Sequence, residues 1–478
     1  MADLNFPDKQ LLDKLATLLG PQGFIADRDL IAPWLVDWRD RYHGESAALL
    51  APADAAQTAA IVRLCAEARV ALVPQGGNTG TVAGATPAAD GSALLLSTRR
   101  MNRLRAISAD DNSVIAEAGV ILSDLHDAAA AIGRRFPLSL AAKGSATIGG
   151  LVSTNAGGTQ VLRFGPMRAL VLGIEAVLPD GSLFDGLATL RKDNRGYDLR
   201  QLLTGAEGTL GVVTAAALRL VPAISGRAVA WAGLSSPRDA LTLLRRLEER
   251  TGEAVESFEL VPANALALVL RNIPGTRPPL DASHAWNVLI EAVGGRGADP
   301  EAMLEQGLAA AIEDGLVQDA TIASSEAQAE ALWTLRESIS PAEKIDGHSL
   351  KHDISVPVLD MPAFLDRERD RLEAHFPGSR IIAFGHLGDG NIHFNLLPPP
   401  GEDRLAWIAR HGAEASAMVH DRVAAAGGSL SAEHGIGQAK LAEFARLTDQ
   451  PRLHTLRAIK RALDPLGIMN PGKLVPPE

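Results

Sequence analysis

Two histidines flank a glycine-rich turn in the segment GHLGDGNIHFN, residues 385–395. The stretches on either side, RIIAFGH and NIHFNLL, are typical of strands, and the Asp-Gly pair between them predicts a hairpin turn. In such a hairpin His393 and Asn395 share one strand face by the two-residue period, and His386 ends the opposing strand. A lone histidine on a strand is usually a hydrogen-bonded structural residue. Two imidazoles that converge across a turn favour a site that holds a metal or moves a proton.

A carboxylate and another imidazole follow in SAEHGIG, residues 431–437, where Glu433 and His434 precede a glycine-rich turn. Two imidazoles and one carboxylate are a common ligand set for a catalytic zinc that keeps an open coordination position. If Glu433 completes such a set with His386 and His393, His434 is left to act as a base. The same donors also suit manganese or cobalt, and a purely structural role for the histidines stays open at this point.

Glycine-rich loops recur between residues 76 and 211, in GGNTG, GSATIGG, STNAGG and GAEGTLG. Such loops bring backbone N–H groups close to a ligand, as a pyrophosphate requires, although an ordinary tight turn explains one of them equally well. Neither GxGxxG between a strand and a helix nor GxxxxGK[ST] occurs, so the sequence does not support a Rossmann site or a P-loop. The number of these loops favours a large flat ligand with a diphosphate tail.

In the first half of the chain, short strands alternate with alanine-rich helices, and these elements must position the groups described above. DAAQTAAIVRLCAEA predicts a helix capped by Asp54, and VALVPQGGNTG predicts a strand that ends in a glycine loop. Beyond Pro222 longer helices and isolated strands follow, and the chain after about Glu402 is mostly helical. This pattern indicates an α+β or α/β protein.

Composition limits the class of protein further. With 478 residues the chain is long enough for two or three domains, and its formal net charge of −11 disfavours a broad nucleic-acid surface. Cys65 is the only cysteine, which excludes an internal disulfide. The N-terminal stretch lacks the features of a signal or transit peptide, and no apolar run approaches the roughly 20 residues that span a bilayer. We therefore expect a cytoplasmic protein.

Seven motifs together resemble one family of flavoenzymes. They are PQGGNTG, TIGGLVSTNAGG, LRFGPMRALVLGIEAVLPDG, DNRGYDLRQLLTGAEGTLGVVT, GHLGDGNIHFN, SAEHGIG and MNPGK, in this order. From about residue 45 to the C-terminus the chain resembles the FAD-linked oxidases and dehydrogenases of 2-hydroxy acids, in the superfamily of vanillyl-alcohol oxidase and p-cresol methylhydroxylase. Within this family it is most similar to the branch of D-2-hydroxyglutarate dehydrogenases.

The resemblance implies an α+β fold in three parts. Residues 1–222 are expected to form an FAD-binding domain of two subdomains, as in p-cresol methylhydroxylase. Residues 223–423 are expected to form a substrate domain with an antiparallel sheet, and residues 424–478 a helical segment that returns to the flavin. FAD is expected to bind without a covalent bond, because VPQGGNTG contains neither histidine nor cysteine. The expected cofactor contacts are Pro74, Gly76, Gly77, Asn78, Thr79, Gly80, Gly144, Ser145, Ile148, Gly149, Gly150, Thr154, Asn155, Gly157, Gly158, Glu207, Gly208, Gly211, Val212 and Asn470.

The resemblance also assigns roles to the polar groups described first. It implies that His386, His393 and Glu433 bind a divalent metal, expected to be Zn²⁺, and that His434 is the catalytic base. The expected substrate contacts are Arg336, Ser340, Lys351, Asn395 and His434. Ser340 stands where the family usually has threonine, and it lies four residues after Arg336 on a predicted helix that ends at Pro341.

The expected reaction is the FAD-dependent, metal-assisted oxidation of D-2-hydroxyglutarate to 2-oxoglutarate. Arg336, Lys351 and the metal match two carboxylates better than one, since a buried cation without a partner costs about 1–3 kcal/mol. D-lactate or glycolate oxidation is the alternative within the family.

Two hypotheses from other classes of protein stay open, a zinc hydrolase and a metal-stabilised binding protein. The glycine loops argue against the hydrolase, and His434 as a base argues against the binding protein. Electron-transfer flavoprotein or a quinone fits as electron acceptor, and a homodimer is compatible with the sequence.

Overall fold

The computed structural model of the chain describes residues 4–477. Met1–Asp3 and Glu478, which fall within the predicted FAD-binding domain and C-terminal segment, lie outside the described residues. The chain forms two compact units. Unit 1 comprises Met1–Gly158, Gly165–Ala223 and Glu433–Glu478, and unit 2 comprises Thr159–Phe164 and Ile224–Ala432. The predicted domain limits at 222/223 and 423/424 stay predictions.

Helices and strands are interspersed along the described chain. The α-helices are α1 (Lys9–Gly23), α2 (Arg28–Ile31), α3 (Ala55–Ala68), α4 (Leu122–Ala131), α5 (Ile148–Thr154), α6 (Val161–Phe164), α7 (Met167–Leu170), α8 (Leu199–Leu203), α9 (Pro237–Thr251), α10 (Ala263–Asn272), α11 (Pro300–Glu313), α12 (Glu326–Glu337), α13 (Ile339–Asp346), α14 (Met361–His375), α15 (Arg404–Ala425), α16 (Leu441–Leu447) and α17 (Gln450–Leu463). The strands are β1 (Phe24–Ile25), β2 (Leu49–Leu50), β3 (Ala71–Gln75), β4 (Ala93–Ser97), β5 (Leu104–Ser108), β6 (Ser113–Glu117), β7 (Arg134–Arg135), β8 (Val171–Val177), β9 (Leu183–Gly186), β10 (Val212–Arg219), β11 (Val221–Pro222), β12 (Gly226–Leu234), β13 (Val255–Pro262), β14 (Trp286–Gly294), β15 (Asp319–Ile322), β16 (Leu350–Ser355), β17 (Arg380–His386) and β18 (Asn391–Leu397). Short 3-10 helices cover Ala32–Trp34 and Gly252–Ala254.

Unit 1 contains two larger sheets. In the first, of order β1-β2-β4-β3, β2 and β3 run parallel to β4. The second is antiparallel and has the order β5-β6-β10-β8-β9. The predicted helix is α3, and the Asp54 carboxylate accepts the N–H of Gln57 at 2.8 Å as its cap. Cys65 is completely buried in the core beside the first sheet, and burial raises the pKa of its thiol to about 12. It therefore acts as a small apolar residue.

Unit 2 is built on an antiparallel sheet of seven strands within its described residues, with the order β15-β12-β14-β13-β17-β18-β16. Apolar clusters cover both faces. One includes side chains of α9, α11, α14 and α15, and the other includes side chains of α10, α12 and α13. Central strands such as β14 are consequently buried along their whole length, in keeping with the mostly apolar sequence WNVLIEAV.

The predicted hairpin is confirmed. Strands β17 and β18 pair in register, with Phe384 opposite His393, and four residues connect them. Gly390 closes the turn with a φ of +80°, a conformation that glycine adopts without strain. Alternation along β18 buries Ile392 and Phe394 completely in one apolar cluster. His393 and Asn395 therefore lie on the opposite face of the sheet.

The prediction that Pro341 ends a helix is wrong. Helix α12 already ends at Glu337, and α13 begins at Ile339, so that Pro341 lies in the first turn of α13. Proline is tolerated there because the first N–H groups of a helix have no partner within the helix. Arg336 and Ser340 thus belong to consecutive helices that meet at Ser338.

Among the described residues, no helix combines the length and the apolar composition that a membrane crossing requires.

Candidate active site

In unit 1 the glycine loop after β3 lies directly against the loop that leads into α5. A Cβ on Gly77 would lie 1.8 Å from the carbonyl oxygen of Ser145. Because no side chain fits at that distance, glycine is required for this contact between two backbones. A Cβ on Gly80 or Gly144 would meet no atom within 4 Å, so these two glycines border open space.

Two further predicted cofactor contacts, Gly208 and Asn470, lie beside the same loop. Gly208 has a φ of +72°, and a Cβ there would lie 3.1 Å from the Pro74 ring. The amide nitrogen of Asn470 donates to the carbonyl oxygens of Gly84 at 2.9 Å and Glu207 at 2.7 Å. The amide oxygen of Asn470 is buried and has no hydrogen-bond partner among residues 4–477. A buried acceptor without a partner fits a bound group that donates a hydrogen bond.

The Glu207 carboxylate is directed at the segment after His434. It is buried and accepts the backbone N–H groups of Ile436 and Gly437, each at 2.7 Å. Burial raises the pKa of Glu207, and these two N–H groups oppose the rise. Glu207 therefore holds the turn that follows Glu433 and His434, which are themselves half-buried. A cofactor contact through this side chain stays a prediction.

Other predicted cofactor residues hold the loops in place. The Asn78 amide donates to the carbonyl oxygen of Val36 at 2.9 Å, and the Asn155 side chain accepts the N–H of Arg168 at 2.8 Å. The remaining predicted residues are in the β3 loop, in α5 and the loop after it, or at the start of β10. They are Gly76, Thr79, Ile148, Gly149, Gly150, Thr154, Gly157, Gly158, Gly211 and Val212. Close backbone contact, open space beside glycine and an unpaired acceptor together fit a flavin dinucleotide.

In unit 2 a buried carboxylate joins an imidazole to a guanidinium. Glu259 lies opposite His386 in the pairing of β13 and β17. One carboxylate oxygen accepts the His386 Nδ1–H at 2.7 Å. The other accepts the Arg336 Nε–H at 2.8 Å and forms an ion pair with Nη2 at 2.7 Å. Burial opposes ionisation of Glu259, but His386 and Arg336 outweigh it and hold its pKa at about 2. An ionised carboxylate only accepts hydrogen bonds, so Nδ1 of His386 carries a proton and Nε2 is the ring nitrogen that Glu259 does not engage.

His393 lies next to this chain of contacts. Its ring centroid is 5.7 Å from that of His386 and 5.0 Å from that of Phe384. The Arg336 guanidinium lies over the same Phe384 ring, with its carbon 4.8 Å from the ring centroid. The predicted convergence of the two imidazoles is confirmed. Their separation and the fixed proton on His386 fit a shared metal ion.

A second buried carboxylate, Glu343, holds two of the predicted substrate contacts. It accepts the Asn395 amide at 3.0 Å and 2.9 Å, and the Lys351 ammonium lies 3.3 Å away. Lys351 and Asn395 are direct cross-strand partners in β16 and β18. Burial raises the pKa of Glu343, and the Lys351 charge opposes the rise. Ser340 is exposed.

The sequence did not identify Glu259 or Glu343 as part of the site. Each could have been found as a charged residue at an apolar position: Glu259 within the strand VESFELVP, and Glu343 on the buried face of α13. Their presence also corrects the physical argument for a dicarboxylate substrate. Arg336 and Lys351 already have carboxylate partners in unit 2, so the premise that they are unpaired without substrate is wrong.

Two protein-family models match the chain. They are described as "FAD binding domain", which covers residues 46–186, and "FAD linked oxidases, C-terminal domain", which covers residues 225–474. The chain belongs to the FAD-linked oxidase family. The predicted family is confirmed, and this FAD-linked oxidase is an FAD-dependent oxidoreductase.

Relatives of this FAD-linked oxidase match it over nearly its whole length. The mitochondrial D-2-hydroxyglutarate dehydrogenase of Bos taurus is 38% identical over 470 residues, which is 97% of this chain and 84% of that protein. The D-2-hydroxyglutarate dehydrogenase of Stutzerimonas stutzeri is 35% identical over 473 residues, or 98% and 99% of the two chains. The crystal structure of p-cresol methylhydroxylase with substrate bound has a TM-score of 0.75 at 14% identity. The match covers 98% of this chain and 96% of that chain. The predicted fold is therefore confirmed.

Replacing Arg336 by methionine should lower the free energy of unfolding of the FAD-linked oxidase by about 3–5 kcal/mol, because the buried Glu259 carboxylate loses its guanidinium partner. Urea denaturation at neutral pH measures the change. Arg410 pairs with Glu402 at the surface, where 60% and 45% of the two side chains are exposed. The control Arg410→Met should change stability by less than about 1 kcal/mol. Equal, small losses in both variants would contradict the role given to Glu259.

Proposed function

We propose that this FAD-dependent oxidoreductase is a dehydrogenase that oxidises D-2-hydroxyglutarate to 2-oxoglutarate with the assistance of a divalent metal. The observation that carries the proposal is the similarity, over 95% of the chain or more, to D-2-hydroxyglutarate dehydrogenases of animals and a bacterium. The polar groups of unit 2 support it, since they supply metal-binding imidazoles and a partly exposed cation within one sheet.

FAD would be held by the glycine loops of unit 1, with Gly77, Gly80 and Gly144 allowing its close approach and Asn470 offering a buried acceptor. When bound, FAD supplies the two-electron acceptor that the oxidation of an alcohol requires. The side chains of Asn78 and Asn155 fix the loops through their hydrogen bonds to Val36 and Arg168.

The metal would be held by His386, His393 and Glu433, and we propose Zn²⁺. When bound, such an ion lowers the pKa of a coordinated hydroxyl group and draws charge from a carboxylate. Glu259 prepares His386 for this role, because the bond to Nδ1 fixes both the tautomer and the orientation of the ring.

His434 would act as the general base that removes the proton from the C2 hydroxyl of the substrate. It follows the ligand Glu433 directly, and Glu207 fixes the turn behind it through two backbone N–H groups. A base must be held within hydrogen-bond reach of the proton that it takes, and this anchored turn supplies such a support.

Lys351 is the predicted cation best able to reach the distal carboxylate of a substrate. Its side chain is 31% exposed, whereas that of Arg336 is 10% exposed and already forms an ion pair with Glu259. We propose that Lys351 and Asn395, both held by Glu343, bind one carboxylate. Arg336 and the hydroxyl of Ser340 complete the proposed substrate contacts.

We further propose that the enzyme acts in the cytoplasm as a homodimer and delivers its electrons to electron-transfer flavoprotein or a quinone. A flavin that is reduced by each substrate molecule needs such an acceptor before the next turnover.

The flavin should be released by denaturation. Neither the loop VPQGGNTG nor buried Cys65 offers a group for a covalent tether. Acid precipitation of the purified protein should leave the yellow colour in the supernatant, as measured by absorbance near the flavin band. A yellow pellet would contradict non-covalent binding.

The metal should be needed for turnover and not for flavin binding, because the glycine loops that would hold FAD contain none of its proposed ligands. A chelator should abolish activity and leave the flavin absorbance of the protein unchanged. His386→Ala, His393→Ala and Glu433→Ala should each lose metal in elemental analysis. His434→Ala is the matched control: it should keep its metal and reduce the flavin about 10²–10⁴-fold more slowly. Full metal content in Glu433→Ala would refute the ligand assignment, and loss of metal in His434→Ala would make His434 a ligand.

Lys351→Met should weaken the preference for dicarboxylates. A lost charge-assisted hydrogen bond costs about 1.5–3 kcal/mol, so kcat/KM for D-2-hydroxyglutarate should fall by roughly 10–100-fold and that for D-lactate much less. The control is Lys344→Met, at an exposed position next to Glu343. The measurement is kcat/KM for D-2-hydroxyglutarate, D-malate and D-lactate in each protein. A wild-type preference for D-lactate that Lys351→Met leaves unchanged would exclude the dicarboxylate substrate.

A further inference from the structure

Lys473, in the motif MNPGK, is a buried cation without a carboxylate partner. It is 4% exposed. Within residues 4–477 its ammonium has one hydrogen-bond acceptor, the carbonyl oxygen of Pro471 at 3.4 Å, and no carboxylate oxygen within 4.0 Å. A charge that is removed from water without a counter-ion is costly to bury. Burial accordingly lowers the pKa of Lys473 to about 8.

Lys460, in the same unit, is a largely buried lysine whose ammonium has hydrogen-bond acceptors and a carboxylate partner. Its ammonium donates to the Asp464 carboxylate at 2.6 Å and to the carbonyl oxygens of Thr209 and Met469, each at 2.7 Å. One anion and two carbonyl groups thus replace the water that this ammonium loses. Within the described residues Lys473 has only the distant carbonyl oxygen of Pro471 and no carboxylate, so a bound anion would explain its burial.

The turn that carries Lys473 lies in the predicted flavin region of unit 1. The residues Asn470, Gly472 and Leu474 all have left-handed backbone conformations, with φ of +44°, +73° and +56°. Two of the three are not glycine, so the turn is held in this shape by its contacts. The Leu474 N–H donates to the carbonyl oxygen of Gly437, and the Asn470 amide donates to that of Gly84.

We propose that Lys473 binds an anionic group of FAD. Two groups of the cofactor have the required chemistry: the pyrophosphate and the isoalloxazine ring, which becomes anionic on two-electron reduction. The proposal concerns the cofactor and not the substrate, because the turn that carries Lys473 also carries Asn470, whose buried amide oxygen is unpaired and whose amide nitrogen donates to Gly84 and Glu207. It does not depend on which hydroxy acid is oxidised.

The test compares Lys473→Met with Lys460→Met in the full-length holoenzyme. Methionine keeps the volume of the buried stem and removes the charge. Lys473→Met should hold FAD at least tenfold more weakly if the lysine pairs with the pyrophosphate, measured by the fluorescence of flavin released on dilution. Its thermal midpoint without bound FAD should equal or exceed that of the wild type. Lys460→Met should lose thermal stability instead, because the buried Asp464 carboxylate loses its ammonium partner and keeps only the N–H groups of Ile468 and Met469.

Two further measurements distinguish the groups of the cofactor. If Lys473 pairs with the pyrophosphate, the dissociation constant of ADP, measured on the FAD-free protein, should rise in Lys473→Met by the same factor as that of FAD. If it pairs with the reduced isoalloxazine, the dissociation constant of ADP stays unchanged and the midpoint potential of the bound flavin becomes more negative. A tenfold weaker binding of reduced relative to oxidised FAD corresponds to about 30 mV for a two-electron couple.

The conservative variant Lys473→Arg should restore part of the lost property, since it keeps the positive charge. Wild-type values of FAD affinity, ADP affinity and flavin potential in Lys473→Met would overturn the proposal, even if KM for the hydroxy acid changed. A lower thermal midpoint of Lys473→Met without FAD would also overturn it, because the ammonium would then have a stabilising partner within the protein. Neither result would affect the proposed substrate, which is tested with Lys351→Met.

Discussion

A single buried carboxylate, that of Glu259, determines the geometry of the polar groups in unit 2. It divides its two oxygens between His386 and Arg336, and both partners are themselves almost completely buried. Removing an ionised carboxylate from water is tolerated only when every lone pair finds a donor of this strength. The tautomer of His386 and the position of the Arg336 guanidinium over Phe384 are therefore consequences of one desolvated charge.

Two other buried carboxylates in the molecule fix neighbouring groups in the same way. Glu343 fixes Lys351 and Asn395, and Glu207 fixes the turn that follows His434. In each case a carboxylate that belongs to neither substrate nor cofactor immobilises a group to which a chemical role is proposed. Such buried carboxylates add little net stability, but they hold their partners in one conformation before a ligand arrives. The entropic cost of ordering these groups is therefore part of folding and not of ligand binding.

Local pattern was sufficient to predict the elements and the family but not the partners. The hairpin of β17 and β18, the cap of α3 and the burial of Cys65 each follow from a few adjacent residues. Local pattern did not predict the end of α12, because Pro341 is tolerated in the first turn of α13.

Glu259 was missed for another reason: its partners lie 77 and 127 residues away in the sequence. Periodicity places a residue on a face, and it carries no information about which distant charge faces it. The error about unpaired cations had this origin, since the carboxylate partners of Arg336 and Lys351 are set by the tertiary fold and not by local pattern.

The pairing of β13 with β17 has a consequence for how the protein is made. Hairpins and adjacent strands can assemble early, because the loops that they close are short. Glu259 and His386 meet across 127 residues of chain, and contacts of such separation form slowly and last. Until that ladder closes, the imidazole of His386 has no fixed proton and no fixed direction. A partly synthesised chain thus displays these histidines without a fixed orientation, and the choice of an ion by the proposed metal site would have to wait for the completed sheet.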